Sequence, residues 1–192
     1  MAAELSGNND LAGIREVVDG FTGTDKAIAN DCIKVLSEVG KQKPELISEF
    51  VNEFIIRLRS RNNRLAWGSM MALATIVDLA PQAIFKRLSV VIAAYEVGSV
   101  ITVDNSISVF AGLCKADESY ALAVLPLLIN HLQNCKPKEV PQHAERASVC
   151  FTRENAGTFI EVLEVRLPYL SKPGKVRVEK LLKKLYMLRE PR

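Results

Sequence analysis

A period of 37 residues is the feature that most constrains the fold of this chain. Apolar residues recur at that spacing in three columns: Ile33, Met70, Ile107 and Ala144; Leu36, Leu73, Phe110 and Ala147; and Val39, Ile76, Leu113 and Cys150. Within each copy the columns are three residues apart, which places their side chains on one stripe of an α-helix. The pattern therefore predicts four copies of a helix with one buried stripe.

A second set of apolar columns follows about fifteen residues later in each copy, and it predicts a second helix. Its members are Val51, Leu88, Leu125 and Val162; Phe54, Val91, Leu128 and Val165; and Leu58, Tyr95, Leu132 and Tyr169. Asp25, Asn62 and Ser99 stand where the first helices begin, and their side-chain oxygens can cap free backbone amides. Pro44 and Pro81 stand where the second helices begin, a position at which a helix tolerates proline.

The two sets of columns together predict an all-α chain of about ten helices in a single domain, residues 1–192. The expected parts are a half repeat at 9–21, repeats at about 25–61, 62–98, 99–135 and 136–172, and a closing helix at about 175–189. Each two-helix unit is apolar on one side and cannot bury that side alone. Stacked units of this kind form an α-solenoid.

The helical hairpins, their helix-starting prolines and their small or apolar columns resemble the HEAT-repeat family of armadillo-type α-solenoids. The resemblance extends from about Asp10 to Arg189. It implies a right-handed stack of hairpins whose second helices line a concave face. In this family such a face binds other molecules, so the resemblance directs attention to its exposed residues.

Composition favours a soluble, cytoplasmic protein. The chain is 48% hydrophobic over 192 residues, which is enough for a continuous core. No apolar run approaches the ~20 residues that span a bilayer, and the N-terminus lacks the basic start and apolar run of a secretory signal. The four cysteines form no Cys-x-x-Cys pair, so we expect reduced thiols at Cys32, Cys114, Cys135 and Cys150.

One group of residues of metal-binding type lies within a twenty-residue segment: His131, Cys135, His143 and Cys150. The repeat columns place Cys150 in the core, and His131 ends a helix on a different side. We therefore interpret the grouping as incidental and predict neither a metal site nor a cofactor.

Catalysis has little support in the sequence, because the chain has no glycine-rich phosphate loop, no nucleophile elbow and only two histidines. Trp67 and Asp78 could frame a damaged base, as in the HEAT-like alkylpurine DNA glycosylases. Packing of Trp67 against a neighbouring repeat is the simpler interpretation. We predict a non-enzymatic protein.

The expected concave face is mixed and polar in the first two repeats and becomes apolar toward the C-terminus. The residues predicted to bind a partner there are Glu49, Asn52, Glu53, Lys86, Val90, Leu127, Asn130, Ile160, Leu163 and Leu167. The run from Tyr120 to Leu132 is apolar almost all round, which predicts a helix covered on both sides. The cover is the protein itself, a second copy or a partner segment, so the predicted function is a protein-binding scaffold.

Charge supplies the alternative function, binding of nucleic acid through its phosphates. From Lys172 to Arg192 eight basic residues stand against two glutamates, a net charge of +6, while the rest of the chain carries −3. The predicted polyanion contacts are Lys180, Lys183 and Lys184 in this segment and Arg57, Arg59, Arg61 and Arg64 around the turn after the first repeat. The other interpretation of the C-terminal lysines is a polar cap on the last repeat.

Overall fold

The computed structural model of this chain describes residues 1–190, so Arg192 of the basic C-terminal segment lies outside the described residues. The described residues contain helices and no β-strand, and the predicted all-α class is confirmed. The twelve α-helices within residues 1–190 are, in order, α1 Ala2–Asn8, α2 Leu11–Thr22, α3 Lys26–Gln42, α4 Val51–Arg57, α5 Asn63–Ile76, α6 Pro81–Phe85, α7 Leu88–Val97, α8 Val100–Ala116, α9 Glu118–Asn134, α10 Val140–Ala147, α11 Ala156–Arg166 and α12 Lys172–Arg189. Short 3-10 helices span Pro44–Leu46, Ser48–Phe50, Ser148–Cys150 and Leu167–Tyr169.

The helix count differs from the expected ten for two reasons. The N-terminal helix α1 was not predicted. The predicted second helices of the first two repeats are also broken, because Ile47 and Arg87 have φ angles of −119° and −118°, far from the helical value of about −63°. These angles interrupt the helical hydrogen-bond ladder, so each predicted helix becomes two or three shorter segments.

Short-range signals in the sequence identified the helix starts correctly. The Asp25 side chain accepts hydrogen bonds from the backbone amides of Ala27 and Ile28, and Asn62 accepts one from Arg64. Pro44 and Pro81 are the first residues of their helical segments. The closing helix α12 begins a few residues before the predicted start, where the Ser171 side chain accepts from the amide of Gly174.

The chain divides into two compact units, Met1–Val109 and Phe110–Arg192. In the first unit α3 packs against α1, α2 and α5, and α4 packs against α5. Ser37 joins α3 to α5, because its hydroxyl donates to the carbonyl oxygens of Ile33 and Gly68 at 2.8 and 3.1 Å. The predicted stripes of α3 and α5 are at most 1% exposed at Ile33, Leu36, Val39, Met70, Leu73 and Ile76.

In the second unit α12 packs against α10 and α11, and α9 packs against α10 and α11. The core of this unit includes Leu128 and Leu132 of α9, Phe159 of α11 and Leu185 of α12, all fully buried. Within the described residues no helix combines the length and the apolar character that crossing a bilayer requires. The solenoid arrangement and its 37-residue period remain predictions.

The predicted stripe is only partly correct in α11 and in the 3-10 helix after it, where Val162 is buried as expected. Val165 and Tyr169 were expected in the core but are 69% and 72% exposed, whereas Ile160 and Leu163 were expected on the surface and are 4% and 0% exposed. The cause is the segment before α11. A 3-10 turn ends α10, and Phe151 then adopts extended geometry, with φ −67° and ψ 123°. Helical phase is lost there, so a fixed offset of 37 residues no longer predicts which face of α11 is buried.

Candidate functional site

Helix α9 of the second unit carries two apolar stripes. One stripe is buried in the core and includes Val124, Leu128 and Leu132. The other is formed by Ala121, Leu122, Leu125, Pro126 and Ile129, whose spacing of three and four residues places them on one further face of the helix. A helix that is apolar on two sides needs a second cover.

The second stripe forms the floor of an open groove of about 790 Å³. The end of α8 contributes Cys114 and Lys115, the segment leading into α11 contributes Thr152, Glu154 and Asn155, and the first turn of α11 contributes Thr158. Leu122 is 77% exposed in this groove and adjoins four other apolar lining residues of α9, so the exposed apolar surface here is contiguous. We call this feature the α9 groove.

Two hydrogen bonds of Asn155 hold the wall of the α9 groove in place. Its amide nitrogen donates to the carbonyl oxygen of Cys150 at 2.8 Å, and its amide oxygen accepts from the backbone N–H of Thr152 at 2.9 Å. These bonds close the turn between α10 and α11. The turn is therefore a fixed wall built by local side-chain chemistry.

The α9 groove continues into a smaller cavity of about 210 Å³ between α9 and α11. The two share Ile129 and Thr158, and the smaller one adds the exposed Val165 and the half-buried Arg166. The continuous depression thus follows α9 from Glu118 to Gln133. Its length of roughly 20 Å, at 1.5 Å per helical residue, suits an extended or helical segment of polypeptide.

Charged groups stand only at the edge of the α9 groove, where Lys115, Glu118 and Glu154 line it. A hydrogen bond from the Thr152 side chain holds the pKa of the Glu154 carboxyl below its usual value, so this carboxyl is ionised at neutral pH. The Cys114 thiol on the wall is hydrogen-bonded to Cys150, which raises the pKa of Cys114 and lowers that of Cys150. The site therefore offers an apolar floor with a charged rim.

The predicted partner-binding residues of the second unit are not those that line the α9 groove. Leu127 and Leu167 are half-buried, Asn130 is exposed, and Ile160 and Leu163 belong to the core. The assignment of Ile160 and Leu163 to an exposed face is wrong because α11 is rotated relative to the expected stripe. Among the predicted stripe residues, Leu125 lines the groove although it was expected in the core.

In the first unit, three predicted residues meet in a cavity of about 380 Å³: Asn52, Arg59 and Val90. Arg87 lines the same cavity, so two arginines border one space. Val90 is only 7% exposed, and its assignment to an open face is wrong. The other predicted partner-binding residues of this unit are outside this cavity: Glu49 pairs with Arg15 at 3.5 Å, Glu53 is half-buried, and Lys86 is exposed.

Two of the predicted polyanion contacts have structural neighbours instead. Arg57 is half-buried, donates to the carbonyl oxygens of Thr22 and Gly23 at the end of α2, and lies 5.7 Å from the Phe21 ring centre. The end of α2 therefore already occupies one of its guanidinium nitrogens. Lys184 is exposed, with its ammonium 5.9 Å from the ring centre of Phe151. The remaining predicted contacts, Arg59, Arg61, Arg64, Lys180 and Lys183, are exposed.

The residues of metal-binding type are closer together than the sequence analysis expected. His131, Cys135 and His143 converge in the second unit, where one ligand atom of each lies within 4.8 Å of the others. Cys150 is buried elsewhere, with its thiol 3.1 Å from the carbonyl oxygen of Ala147. Cys32, Cys114, Cys135 and Cys150 are all free thiols.

Trp67 and Asp78, the candidates for framing a damaged base, both lie in the first unit. Trp67 is half-buried within α5, and Asp78 is exposed just after that helix. Neither residue lines the α9 groove or the cavity that Asn52, Arg59 and Val90 share. Leu122 and Ile129 line the groove but were not among the residues predicted to bind a partner, although they lie in the Tyr120–Leu132 run. The apolar character of that run indicated that the helix has an additional apolar face, but it did not indicate which residues form that face.

Comparison with known proteins shows the fold and nothing finer. No protein-family model matches the sequence, and no curated protein matches it. Among solved structures, the chain is similar to the crystal structure of an engineered protein from the Northeast Structural Genomics Consortium. The TM-score is 0.71 at 15% sequence identity, covering 97% of this chain and 85% of the other. At this identity the likeness shows a shared fold and carries no information on function.

Proposed function

We propose that this chain is a HEAT-like repeat protein that acts by binding, and that the α9 groove holds a short apolar segment of another protein. The observation that carries the proposal is the second apolar stripe of α9, with Leu122 77% exposed on the floor of a 790 Å³ groove. Burying such a stripe removes apolar surface from water, which makes the free energy of binding more favourable by about 25 cal/mol for each Å² buried. The proposal includes a cytoplasmic location, as the sequence analysis expects.

The shape of the groove favours a polypeptide over a small molecule. It runs along the helix and continues past Ile129 and Thr158 into the cavity beside Val165. Apolar floor residues at helical spacing match the anchors of an amphipathic helix, which recur every three or four residues. Glu118 and Glu154 at the edge favour a basic residue next to those anchors.

Selection of peptides against the purified protein tests this proposal. A displayed library of random peptides is selected on the wild-type chain, and the binding of the enriched peptides is then measured by fluorescence anisotropy. We expect enriched peptides with apolar residues at helical spacing, and a loss of affinity on the order of tenfold or more when Leu122→Asp places a charge on the floor.

Met187→Asp is the matched control, because Met187 is 73% exposed on α12 and does not line the groove. Equal affinities of the selected peptides for wild type, Leu122→Asp and Met187→Asp contradict the proposal. Light scattering over a concentration series measures the solution mass and so tests whether the chain associates with itself. A dimer that Leu122→Asp dissociates and Met187→Asp leaves intact would make a second copy of the chain the partner.

A second candidate function, binding of a polyanion, is favoured by the cavity that Arg59 and Arg87 share in the first unit. Guanidinium groups bind phosphate oxygens through paired N–H donors. A fluorescent oligonucleotide tests this candidate, because phosphate contacts weaken steeply with added salt whereas apolar burial does not. We expect the double variant Arg59→Ala/Arg87→Ala to lower both the affinity and its salt dependence if this function is present.

A further inference from the structure

Three side chains of the second unit that ligate metals in other proteins lie together at the end of α9. The ligand atoms of His131, Cys135 and His143 all lie within 4.8 Å of one another. Nε2 of His131 and Nδ1 of His143 are 2.8 Å apart, and the two ring centres are separated by 4.7 Å. His131 is 7% exposed and His143 1% exposed, whereas Cys135 is half-buried, so protein encloses the two rings and solvent reaches the cluster on the side of the thiol.

Local structure explains why these residues meet. His131 and Cys135 are four residues apart on the last turn of α9, a spacing that places both side chains on one face. The backbone N–H of Cys135 donates to the carbonyl oxygen of His131 at 2.8 Å and ends the helix there. A tight turn, closed by the N–H of Glu139 on the carbonyl oxygen of Lys136 at 2.8 Å, brings α10 back with His143 one turn from its start.

We propose that His131, Cys135 and His143 bind one divalent transition-metal ion, with Zn²⁺ as the reference ion and a solvent molecule as the fourth ligand. Imidazole nitrogen and thiolate sulfur are the ligands that Zn²⁺ prefers, and three protein ligands with one open position are a known coordination pattern. The site is independent of the α9 groove, because none of the three residues lines that groove.

The observed distances suit this ion after a small adjustment. Bond lengths of about 2.0–2.1 Å to nitrogen and 2.3 Å to sulfur place tetrahedral ligand atoms roughly 3.3–3.8 Å apart. The largest separation in the cluster, 4.8 Å, is above this range, and the shortest, 2.8 Å, is below it. The two imidazole nitrogens must therefore part by up to about 1 Å, both rings must turn so that their nitrogen lone pairs point to the ion and not to each other, and the thiol must move inward.

The protons of the three ligands can also be accounted for when the ion binds. In the His131–His143 hydrogen bond the N–H of one ring donates to the unprotonated nitrogen of the other. For both nitrogens to bind the ion, the donor ring takes its other neutral tautomer, so its proton moves to the opposite nitrogen. Cys135 binds as a thiolate and releases its proton to solvent, and uptake of one ion therefore releases one proton.

The ion is tested with cobalt(II), because Co²⁺ occupies zinc sites and reports its ligands by colour. The full chain is treated with a chelator, exchanged into metal-free buffer and titrated with Co²⁺. We expect one ion to bind per chain. We also expect a thiolate-to-cobalt charge-transfer band in the near ultraviolet, together with d–d bands in the visible range that are as intense as tetrahedral Co²⁺ gives. Addition of Zn²⁺ is expected to remove these bands and to raise the Tm, since binding to the folded state stabilises it.

Three variants separate a built site from incidental binding. Cys135→Ser is expected to abolish the charge-transfer band, and His143→Gln to weaken Co²⁺ binding on the order of 100-fold. Cys32→Ser is the control, because Cys32 is a half-buried free thiol of the first unit and should leave the titration unchanged. Circular dichroism of each variant confirms that it is folded.

Two results overturn the proposal. One is a wild-type chain that takes up no Co²⁺ and gains no thermal stability from Zn²⁺. The other is Co²⁺ binding that Cys135→Ser and Cys32→Ser leave equally unchanged, which would assign the ion to adventitious surface groups. If His143→Gln fails to fold, Cys135→Ser still decides, because serine has nearly the volume of cysteine and binds these ions far more weakly.

Discussion

The guanidinium group of Arg166 donates a hydrogen bond to the backbone carbonyl oxygen of Cys135, the residue at which α9 ends. A second bond of 2.7 Å goes to the carbonyl oxygen of Gln133, so one side chain of α11 closes the open end of α9. Arg57 makes the same type of contact at the end of α2 in the first unit.

Burial raises the pKa of the Cys135 thiol to about 11, although the nearby positive charge of Arg166 lowers it.

Replacing Arg166 with Ala is expected to destabilise the protein by about 1–3 kcal/mol, because two carbonyl oxygens lose a charged donor. Arg166→Lys should recover only part of this loss, since one ammonium cannot reproduce the forked geometry of a guanidinium. The measurement is the urea midpoint followed by circular dichroism. Lys183→Ala is the control at an exposed position of α12. If both variants shift the urea midpoint equally, Arg166 does not stabilise the protein by capping α9.

Replacing Leu163 with Ala is expected to cost about 2–5 kcal/mol, because this side chain is fully buried in α11 and its removal leaves a cavity. Leu122→Ala is the matched substitution at a residue that is 77% exposed, and it should change stability by less than about 0.5 kcal/mol. Thermal unfolding of both variants compares the two positions. A stable Leu163→Ala chain would restore the original assignment of Leu163 to the surface.

The ion pair between Glu145 of α10 and Arg177 of α12 predicts a dependence of stability on pH. The carboxylate accepts two bonds of 2.7 and 2.6 Å from the guanidinium, which holds the pKa of Glu145 below its usual 4.5. A lowered carboxyl pKa stabilises the folded state above pH 4.5, and this contribution is lost as the pH falls through the folded-state pKa.

We therefore expect Glu145→Gln to lower the Tm at pH 7 and the difference from wild type to shrink below pH 4.5. The side chains are 45% and 42% exposed, so solvent screening limits the effect to about 1 kcal/mol or less. Differential scanning calorimetry from pH 7 to pH 3 measures it. A difference that is constant over this range would mean that the pair contributes nothing through its charge.

Two glycines inside helices should respond in opposite ways to a methyl group. A Cβ at Gly40 of α3 would lie 2.3 Å from Thr75 Oγ1 and 2.7 Å from Ile47 Cδ1, so Gly40→Ala is expected to cost about 1–3 kcal/mol. A Cβ at Gly157 of α11 would meet nothing within 4 Å, and Gly157→Ala should stabilise by up to about 1 kcal/mol. Chemical denaturation of both variants measures the signs, and the same sign at both positions would contradict the packing argument.

Part of this structure could be predicted from the sequence because the relevant chemistry is local. The caps at Asp25 and Asn62 and the helix-starting proline Pro81 follow from side-chain and backbone properties within one helical turn. The buried stripes of α3 and α5 were also predicted correctly, since unbroken helical phase within each helix makes spacing a reliable guide to its face.

The sequence by itself determined the all-α class, most helix starts and the unusual apolar character of α9. Only the tertiary structure decided which face of α9 remained open, because that depends on how the turn before α11 is closed by Asn155. It also decided that Leu163 is buried and Val165 exposed, since the chain leaves helical geometry at Phe151 and loses its phase. The meeting of His131, Cys135 and His143 likewise depends on the angle at which α10 returns, which residue spacing does not specify.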